Sequence, residues 1–368
     1  MAEKIAYECR YFSGENPCAF HKKHGVKCGD CPYYSPVSER ILIIKMGAKG
    51  DVLRTTCILK SLKKKYTDSY ITWVLEKGSR ELLYNIDLID MVMEFSAKTV
   101  SILQAERFDI VLSLDSSVLS ASIAERVDAG EKRGFGLNES GQVYPYNPEA
   151  EEWFGMGIFD DVKRRNKKTY QKIVCEICGL GLIETEVVGE AAGEGEIIVN
   201  LTDEEKDKAK SFAREHGIDG SSPVVGLNTG AGGRWELKKW TLEGYQRLIE
   251  KLHEETGVKV LLFGGAEEEE RNKRLKESSR YSVIDTGSGN TIREFFAFLN
   301  LCDVVAAGDT LAVHAALGLG KKVVVLFGPT SASEIEVYGR GEKIVAPIEC
   351  AWCYRRVCSR KPSCMDSI

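Results

Sequence analysis

Short apolar runs, separated by stretches of helical length, set the pattern of the chain from Ser38 onward. Residues 41–44 are apolar throughout, as expected for a parallel strand buried on both faces. A glycine-containing turn follows, and residues 52–64 then have the length and pattern of a helix. Because strands that alternate with helices build βαβ units, the pattern predicts a doubly wound parallel sheet. Further strands are predicted at residues 71–75, 91–95 and 110–114.

The second half of the chain repeats this alternation. Thr202 and Glu205 form a capping box that predicts a helix reaching residue 216, and Thr291 with Glu294 forms another. The repeat of the pattern predicts a second βα domain. Its predicted elements are strands at residues 224–228, 258–263, 303–307 and 323–327 and a helix at residues 242–255.

Two segments interrupt the pattern. Residues 134–161 contain prolines and several glycines and are interpreted as loops, whereas residues 179–195 are rich in Gly and Glu and are predicted to link two domains. In tandem βα domains a ligand is expected between the domains, at the carboxyl ends of the strands. The predicted units are residues 1–38, a cysteine-rich segment; 39–190, a first Rossmann-like domain; 191–348, a second one; and 349–368, a cysteine-rich tail.

Length and charge restrict the class of protein. A chain of 368 residues suits two domains, and its 43% hydrophobic content indicates a folded protein. With 50 basic and 55 acidic residues the net charge is −5, which disfavours nucleic acid as a partner. No apolar run approaches the roughly 20 residues of a membrane helix, and the first residues lack the apolar core of a signal peptide. We therefore expect a cytoplasmic protein, with peripheral membrane contact left open.

Three glycine-containing turns carry the candidate chemistry. In the first, residues 45–51, Asp51 stands where a helix begins, so it is either an N-cap or a general base at the mouth of the interdomain cleft. The spacing matches neither the dinucleotide fingerprint nor a P-loop. The second, residues 228–240, combines Thr229 and Gly230 with the cations Arg234 and Lys238. Such a segment suits a diphosphate, while a solvated basic loop above two tryptophans is the alternative.

The third turn, residues 308–314, follows a strand and opens a helix. Its free amides should face the crevice, with Asp309 as a cap and Thr310 as a donor to phosphate or sugar. His314 would lie one turn inside, where a lone histidine is more often structural than catalytic.

Together, residues 41–51, 226–240 and 308–330 resemble glycosyltransferase family 9, the ADP-heptose:lipopolysaccharide heptosyltransferases. The resemblance implies the GT-B fold, in which two Rossmann-like domains face each other across a cleft. It implies that residues 39–190 form the acceptor domain and residues 191–348 the nucleotide-sugar domain. It also implies inverting transfer without a metal or other cofactor. Matched motif by motif, the resemblance implies that Asp51 is the catalytic base and that Lys238 binds the diphosphate. It further implies a donor site that includes Asp309, Thr310 and His314, with Glu267 or Glu268 at the nucleoside.

One departure from the family pattern concerns the donor site. Leu311 and Ala312 stand where the family has Gly-Pro, and a side chain there restricts close approach of the backbone to phosphate. We still predict transfer of a heptose or related sugar from an ADP-sugar to a lipopolysaccharide-core or other surface glycan. The alternatives are a GT-B enzyme for another nucleotide sugar and a non-catalytic, metal-stabilised binding protein. The basic run 163–168 is either a site for an anionic lipid acceptor or a solvated helix start.

Eight of the 12 cysteines fall in two groups near the ends of the chain. Because the spacing within each group suits metal ligands, we predict structural zinc, with an iron–sulfur cluster or free buried thiols as alternatives. Cys57, Cys175, Cys178 and Cys302 are predicted to lie in the core. The N-terminal group is Cys9, Cys18, Cys28 and Cys31, and a possible second site is Cys350, Cys353, Cys358 and Cys364.

Overall fold

The computed structural model describes residues 4–181, 195–233 and 235–368. Two six-stranded sheets organise these residues, one in each half of the chain. The first has the order β3-β2-β1-β4-β5-β6 and is parallel except for β6, which runs antiparallel to β5. Its strands are β1 (Arg40–Ile44), β2 (Tyr70–Leu75), β3 (Met91–Glu94), β4 (Arg107–Ser113), β5 (Asp128–Leu137) and β6 (Val143–Pro145).

The second sheet is parallel throughout, with the order β12-β11-β10-β7-β8-β9. This arrangement confirms two Rossmann-like βα domains. Sequence patterning missed β9 and β12, which are short or half-exposed. The strands of this sheet are β7 (Val224–Asn228), β8 (Lys259–Phe263), β9 (Val283–Asp285), β10 (Val304–Gly308), β11 (Lys322–Phe327) and β12 (Gly341–Val345).

Helices connect the strands in both domains. The two predicted capping boxes are confirmed: the side chain of Thr202 accepts from the Glu205 amide, and that of Thr291 accepts from the Glu294 amide. The helices of the first half are α1 (Ala19–His24), α2 (Lys49–Thr55), α3 (Leu59–Lys65), α4 (Ala97–Ala105), α5 (Val118–Arg126), α6 (Pro148–Ile158), α7 (Asp160–Arg165) and α8 (Tyr170–Ile177). Those of the second half are α9 (Asp203–Glu215), α10 (Leu242–Thr256), α11 (Glu269–Ser278), α12 (Ile292–Leu299) and α13 (Leu311–Gly318).

Burial on both faces explains the apolar run of β1. Ile41 and Ile43 belong to the largest core cluster, whereas Leu42 and Ile44 belong to a second cluster on the opposite face, and none of the four is exposed. Each such side chain contributes about 1.5–3 kcal/mol on burial. The strand therefore cannot shift its register without exposing one set to water.

The loop interpretation of residues 134–161 is wrong. The end of β5, the strand β6 and the helix α6 lie in this segment. Gly134 has φ +90°, and a Cβ on it would stand 1.8 Å from the carbonyl oxygen of Ser113. The glycine thus allows two paired strands to approach, while Pro148 occupies the first turn of α6, where proline is tolerated.

The two halves of the chain are in contact beyond the predicted linker. Residues 182–194 of that linker, including the boundary placed after residue 190, lie outside the described residues. After them, the amide of Ile198 donates to Thr56 Oγ1 at 2.9 Å. Gln171 of the first half also donates through Nε2 to the hydroxyl of Tyr338 in the second half at 2.8 Å. The largest core cluster includes side chains from both sheets. The two domains therefore share a packed joint, and the other domain boundaries stay predictions.

The N-terminal segment packs on the amino ends of the strands in the first sheet. Arg10 pairs with Asp90 and donates to the Ser69 carbonyl at 3.0 Å. Asp90 also accepts from the amide of Ile71 at 2.8 Å and from Lys63 at 3.1 Å. This segment is thus attached on the side away from the carboxyl ends of the strands. Within the described ranges, every helix is too short or too polar to cross a bilayer.

Candidate active site

The two domains meet at the carboxyl ends of β1 and β10, where α2 and α13 begin and contact each other. A Cβ on Gly50 would lie 3.1 Å from His314 Cδ2 and 3.7 Å from the Cα of Leu311. A side chain at position 50 would therefore crowd the His314 ring, and glycine lets the two helices approach without that contact. A cavity of about 440 Å³ opens beside the contact, and both domains line it.

Asp51 lies in the first turn of α2, on the side of the cavity that the first domain provides. Ala48 occupies the N-cap position, so the interpretation of Asp51 as the cap is wrong. Its Oδ1 pairs with Arg54 Nη2 at 2.8 Å, and its side chain keeps 36% exposure. Burial alone would raise the pKa of Asp51, but Arg54 and Lys45 outweigh it and hold this pKa below its usual value. The carboxylate is therefore ionised at neutral pH and open to a ligand.

A buried ion pair fixes the turn before Asp51. Lys45 Nζ lies 2.5 Å from Asp115 Oδ1, and the other carboxylate oxygen of Asp115 accepts from the amides of Met46 and Gly47. Burial would lower the pKa of Lys45, but Asp115 holds it above its usual value. Sequence analysis missed this pair because its members are 70 residues apart. The pair therefore fixes the conformation of the turn that leads from β1 into α2.

Lys238 approaches the same cavity from the second domain. Its Nζ lies 2.7 Å from Asp309 Oδ2 and donates to the Asp309 carbonyl at 3.0 Å. A Cβ on Gly308 would stand 2.6 Å from the carbonyl oxygen of Lys238, so the end of β10 must be glycine for this loop to fit. Burial opposes the ionisation of Asp309, yet Lys238 and His314 hold its pKa below the usual value. The Asp309 carboxylate is thus ionised, and both side chains line the cavity.

His314 is buried beneath this pair. Its Nε2 is 3.9 Å from Asp309 Oδ1, beyond a hydrogen bond. Burial and the nearby Arg54 lower the pKa of His314 to about 4, so the ring is neutral at pH 7. Thr310, and not Asp309, occupies the N-cap position of α13, and its hydroxyl lies 3.5 Å from the Asn228 side chain. The predicted cap is therefore displaced by one residue, while both side chains still line the cavity.

A second cavity of about 430 Å³ adjoins the first and shares Lys238, Asp309, Thr310 and Leu311 with it. Gly230, Glu268 and Ala312, three of the residues predicted for the donor site, also line it, and their role in donor binding stays a prediction. A Cβ on Gly230 would lie 2.2 Å from Glu268 Cδ, so the glycine makes room for the buried carboxylate.

The remaining residues predicted for the donor site are Thr229, Glu267 and Arg234. Thr229 is buried and donates to Asn272 Oδ1 at 2.5 Å, so it has a structural contact in place of the predicted ligand contact. Glu267 faces the Gly232–Gly233 turn and is not among the residues that line the second cavity. Arg234 lies outside the described residues.

The structure does not form the predicted four-thiolate sites. All 12 cysteines lie in the described ranges and are free thiols, and no cluster of three or more potential ligands there is arranged to hold a metal. Burial raises the pKa of the Cys364 thiol, with a contribution from Cys353 and Cys358, so those three lie in one neighbourhood. The metal assignment stays a prediction, which elemental analysis of the purified protein tests. Core positions are confirmed for Cys57, Cys175, Cys178 and Cys302.

Comparison with known proteins places the chain in a family. The sequence profile of glycosyltransferase family 9 (heptosyltransferase) matches residues 97–363. Lipooligosaccharide heptosyltransferase 2 of Haemophilus influenzae is 25% identical over 308 residues, which are 79% of this chain and 84% of that protein.

Solved structures agree with the fold. A family 9 glycosyltransferase from Veillonella parvula aligns with a TM-score of 0.69 at 18% identity, covering 84% of this chain and 86% of that one. An E. coli heptosyltransferase in complex with ADP-2-deoxy-2-fluoro heptose aligns with a TM-score of 0.56 at 20% identity, covering 84% and 93%. These alignments confirm the predicted GT-B architecture, and the profile covers most of the chain. The chain therefore belongs to glycosyltransferase family 9 and is a glycosyltransferase.

Proposed function

We propose that the enzyme transfers a heptose from ADP-heptose to a lipopolysaccharide-core or related surface-glycan acceptor, with inversion at the anomeric carbon. The observation that carries the proposal is that Asp51 and Lys238 line one cavity from opposite domains. In-line displacement needs a base on one side of the reacting carbon and positive charge at the leaving group on the other.

The donor site is best matched by the second cavity. Ile292 and Phe295 give it an apolar wall for a nucleoside base, and Gly264 and Gly265 let the backbone approach a ligand. Lys238 stands where the two cavities join, so a diphosphate bound there would connect a nucleoside in one to a sugar in the other. ADP as the nucleotide is supported by the ligand of the E. coli structure, and a heptose by the name of the H. influenzae relative.

In the transfer step, Asp51 accepts the proton of the acceptor hydroxyl as its oxygen attacks the anomeric carbon. The bond between that carbon and the diphosphate oxygen breaks, and ADP leaves with the electron pair. Lys238 exchanges part of its contact with Asp309 for the departing phosphate, whose charge it stabilises. Because hydroxyl and diphosphate lie on opposite faces of the carbon, its configuration inverts.

The acceptor side of the cavity includes Lys163, the first residue of the basic run 163–168. The remaining cations of that run have contacts of their own: Arg164 donates to the Asp160 carbonyl at 3.3 Å, Arg165 pairs with Asp161, Lys167 lies 5.9 Å from the centroid of the Trp352 ring, and Lys168 pairs with Glu152 and Glu176. An anionic acceptor would therefore meet Lys163 alone of these residues inside the cavity.

The test is a donor panel read by mass spectrometry. Purified protein is incubated with ADP-heptose, UDP-glucose or GDP-mannose and with lipopolysaccharide whose core lacks heptose. We expect an acceptor heavier by one heptose residue with ADP-heptose alone, and the configuration of the new bond is read by NMR. Thermal shifts with ADP, UDP and GDP give an independent measure of nucleotide choice. Transfer from another nucleotide sugar, or retention of configuration, would refute the proposal as stated.

A further inference from the structure

The C-terminal cysteine-rich segment returns to the carboxyl end of the second sheet. The Trp352 amide donates to the Gly328 carbonyl at 2.9 Å, and the Tyr354 amide donates to the Pro329 carbonyl at 2.8 Å. A Cβ on Gly328 would stand 2.6 Å from Cys364 Sγ, so the end of the chain packs directly on this turn. The segment is thereby anchored beside the catalytic cavity.

Tyr354 carries this segment into the cavity. Its hydroxyl donates to Glu334 Oε1 at 2.7 Å and accepts from the Ser331 amide at 3.0 Å. Lys163 Nζ, from the first domain, lies 3.8 Å from the centroid of the Tyr354 ring. Tyr354 has φ +53°, a region that bulky residues rarely adopt, and the surrounding contacts hold it there. Three separate parts of the chain thus meet at one side chain.

Thr330 supplies an independent indication that a polar ligand belongs here. It is 5% exposed and lines the cavity, yet its hydroxyl has no hydrogen-bond partner among the residues that the structure describes. The same holds for Nε of Arg54, which also lines the cavity. Buried polar groups are nearly always hydrogen-bonded, because an unmade bond costs about 1–3 kcal/mol. A ligand that carries several hydroxyls would satisfy both groups.

The charges of the cavity favour the same kind of ligand. Asp51 is paired with Arg54, and Lys238 with Asp309, whereas the Glu334 carboxylate has spare acceptor capacity beyond Tyr354. Glu334 lies at the end of the cavity where Lys163 of the first domain contacts the Tyr354 ring. A carboxylate has roughly four lone-pair sites and accepts readily from hydroxyl donors.

We propose that Glu334 and Thr330 bind hydroxyls of the acceptor sugar, and that Tyr354 is the residue that positions Glu334. The C-terminal segment is then part of the active site. This inference rests on the proposed function and names the subsite that holds the acceptor ring. Burial, with Glu334 adding to it, raises the pKa of Tyr354, so its hydroxyl remains a donor across the working pH range.

The test compares E334Q, Y354F and the matched control Y281F. Tyr281 also donates to a glutamate, Glu254, at 3.3 Å, but on an exposed surface away from the cavity. Binding of a soluble heptose-free core oligosaccharide is measured by calorimetry. Binding of ADP and the kinetic constants for ADP-heptose are measured on the same samples.

We expect E334Q to weaken oligosaccharide binding and to raise the acceptor KM by about 30-fold or more. Y354F should raise that KM by about 10-fold, the effect of one lost hydrogen bond. ADP binding should remain as in wild type, and Y281F should match wild type throughout. Unchanged acceptor binding in E334Q, equal loss of ADP and acceptor binding, or no oligosaccharide binding by wild type would each overturn the inference. Failure of the proposed function differs, because wild type would then not transfer heptose from ADP-heptose.

Discussion

Replacing Asp51 by Asn removes the proposed base and leaves the shape of the side chain almost unchanged. A positioned general base contributes about 10²- to 10⁴-fold to a rate, so we expect kcat to fall by that factor, or by about 3–5.5 kcal/mol of activation free energy. Stability should fall by about 1–3 kcal/mol, because the Asp51 carboxylate is more than one-third exposed, but the buried Arg54 loses its charged partner and keeps only the amide oxygen of Asn as an acceptor.

The assay measures ADP release with acceptor under saturating donor, together with ADP affinity by calorimetry. ADP affinity should be retained, because Asp51 lies on the side of the cavity that the first domain provides and Lys238 is untouched. Asp161→Asn is the control, since it removes a carboxylate that is paired on an exposed helix surface. Full turnover in Asp51→Asn would exclude Asp51 as the base, and lost ADP binding would show that the residue serves the donor instead.

The pH dependence of turnover follows from the same environment. A base is active when ionised, and the pKa of Asp51 is held below its usual value. As the pH falls from 8 to 5, kcat/KM should therefore show no decrease that arises from this group. An acidic limb in wild type that disappears in Asp51→Asn would contradict the lowered pKa.

Three further predictions concern the frame of the site. Asp115→Ala should lower the free energy of unfolding by about 3–5 kcal/mol in denaturant titration, because it leaves Lys45 charged and buried; a loss below 1 kcal/mol would refute this. Gly308→Ala should reduce kcat by about 10-fold or more, because the Cβ of alanine would displace the Lys238 carbonyl and with it the Lys238 side chain. Unchanged kinetics would show that the loop can shift without affecting Lys238. The pKa of His314 is about 4 in the folded protein and 6.5 in the unfolded chain, so the unfolded chain takes up the proton first as the pH falls. The free energy of unfolding should therefore be unaffected by this group above pH 6.5 and should decrease by about 3 kcal/mol as the pH falls toward 4. His314→Gln should flatten stability over that window in thermal or chemical unfolding, whereas an unchanged pH slope would refute the assignment.

The sequence predicted the strands whose burial is two-sided, because such strands have a uniform apolar signature. Residues 41–44 of β1 are an example. The prediction failed where a glycine is needed for close packing of strands. Gly134 indicated a loop, although it lies within β5 against the carbonyl of Ser113. Composition alone cannot distinguish a glycine that bends the chain from one that admits a neighbouring strand.

Within the site, the motifs in the three glycine-containing turns predicted the residues that those turns themselves carry. Asp51, Lys238 and Asp309 were found in this way and do line one cavity. Arg54 could have been found, because it follows Asp51 by three positions on a predicted helix and so shares its face. Tyr354 could not, since its place depends on the path by which the end of the chain returns to β11.

The attachment of the N-terminal segment bears on how the enzyme is prepared for study. A shortened form starting at residue 39 respects the composition boundary but deletes Arg10, one of two cations on the carboxylate of Asp90. Of the described contacts to that carboxylate, those of Lys63 and the Ile71 amide would then remain, at the beginning of the strands of the first domain. Trimmed versions of this enzyme should therefore be judged by their melting behaviour before any loss of catalysis is assigned to the missing cysteines.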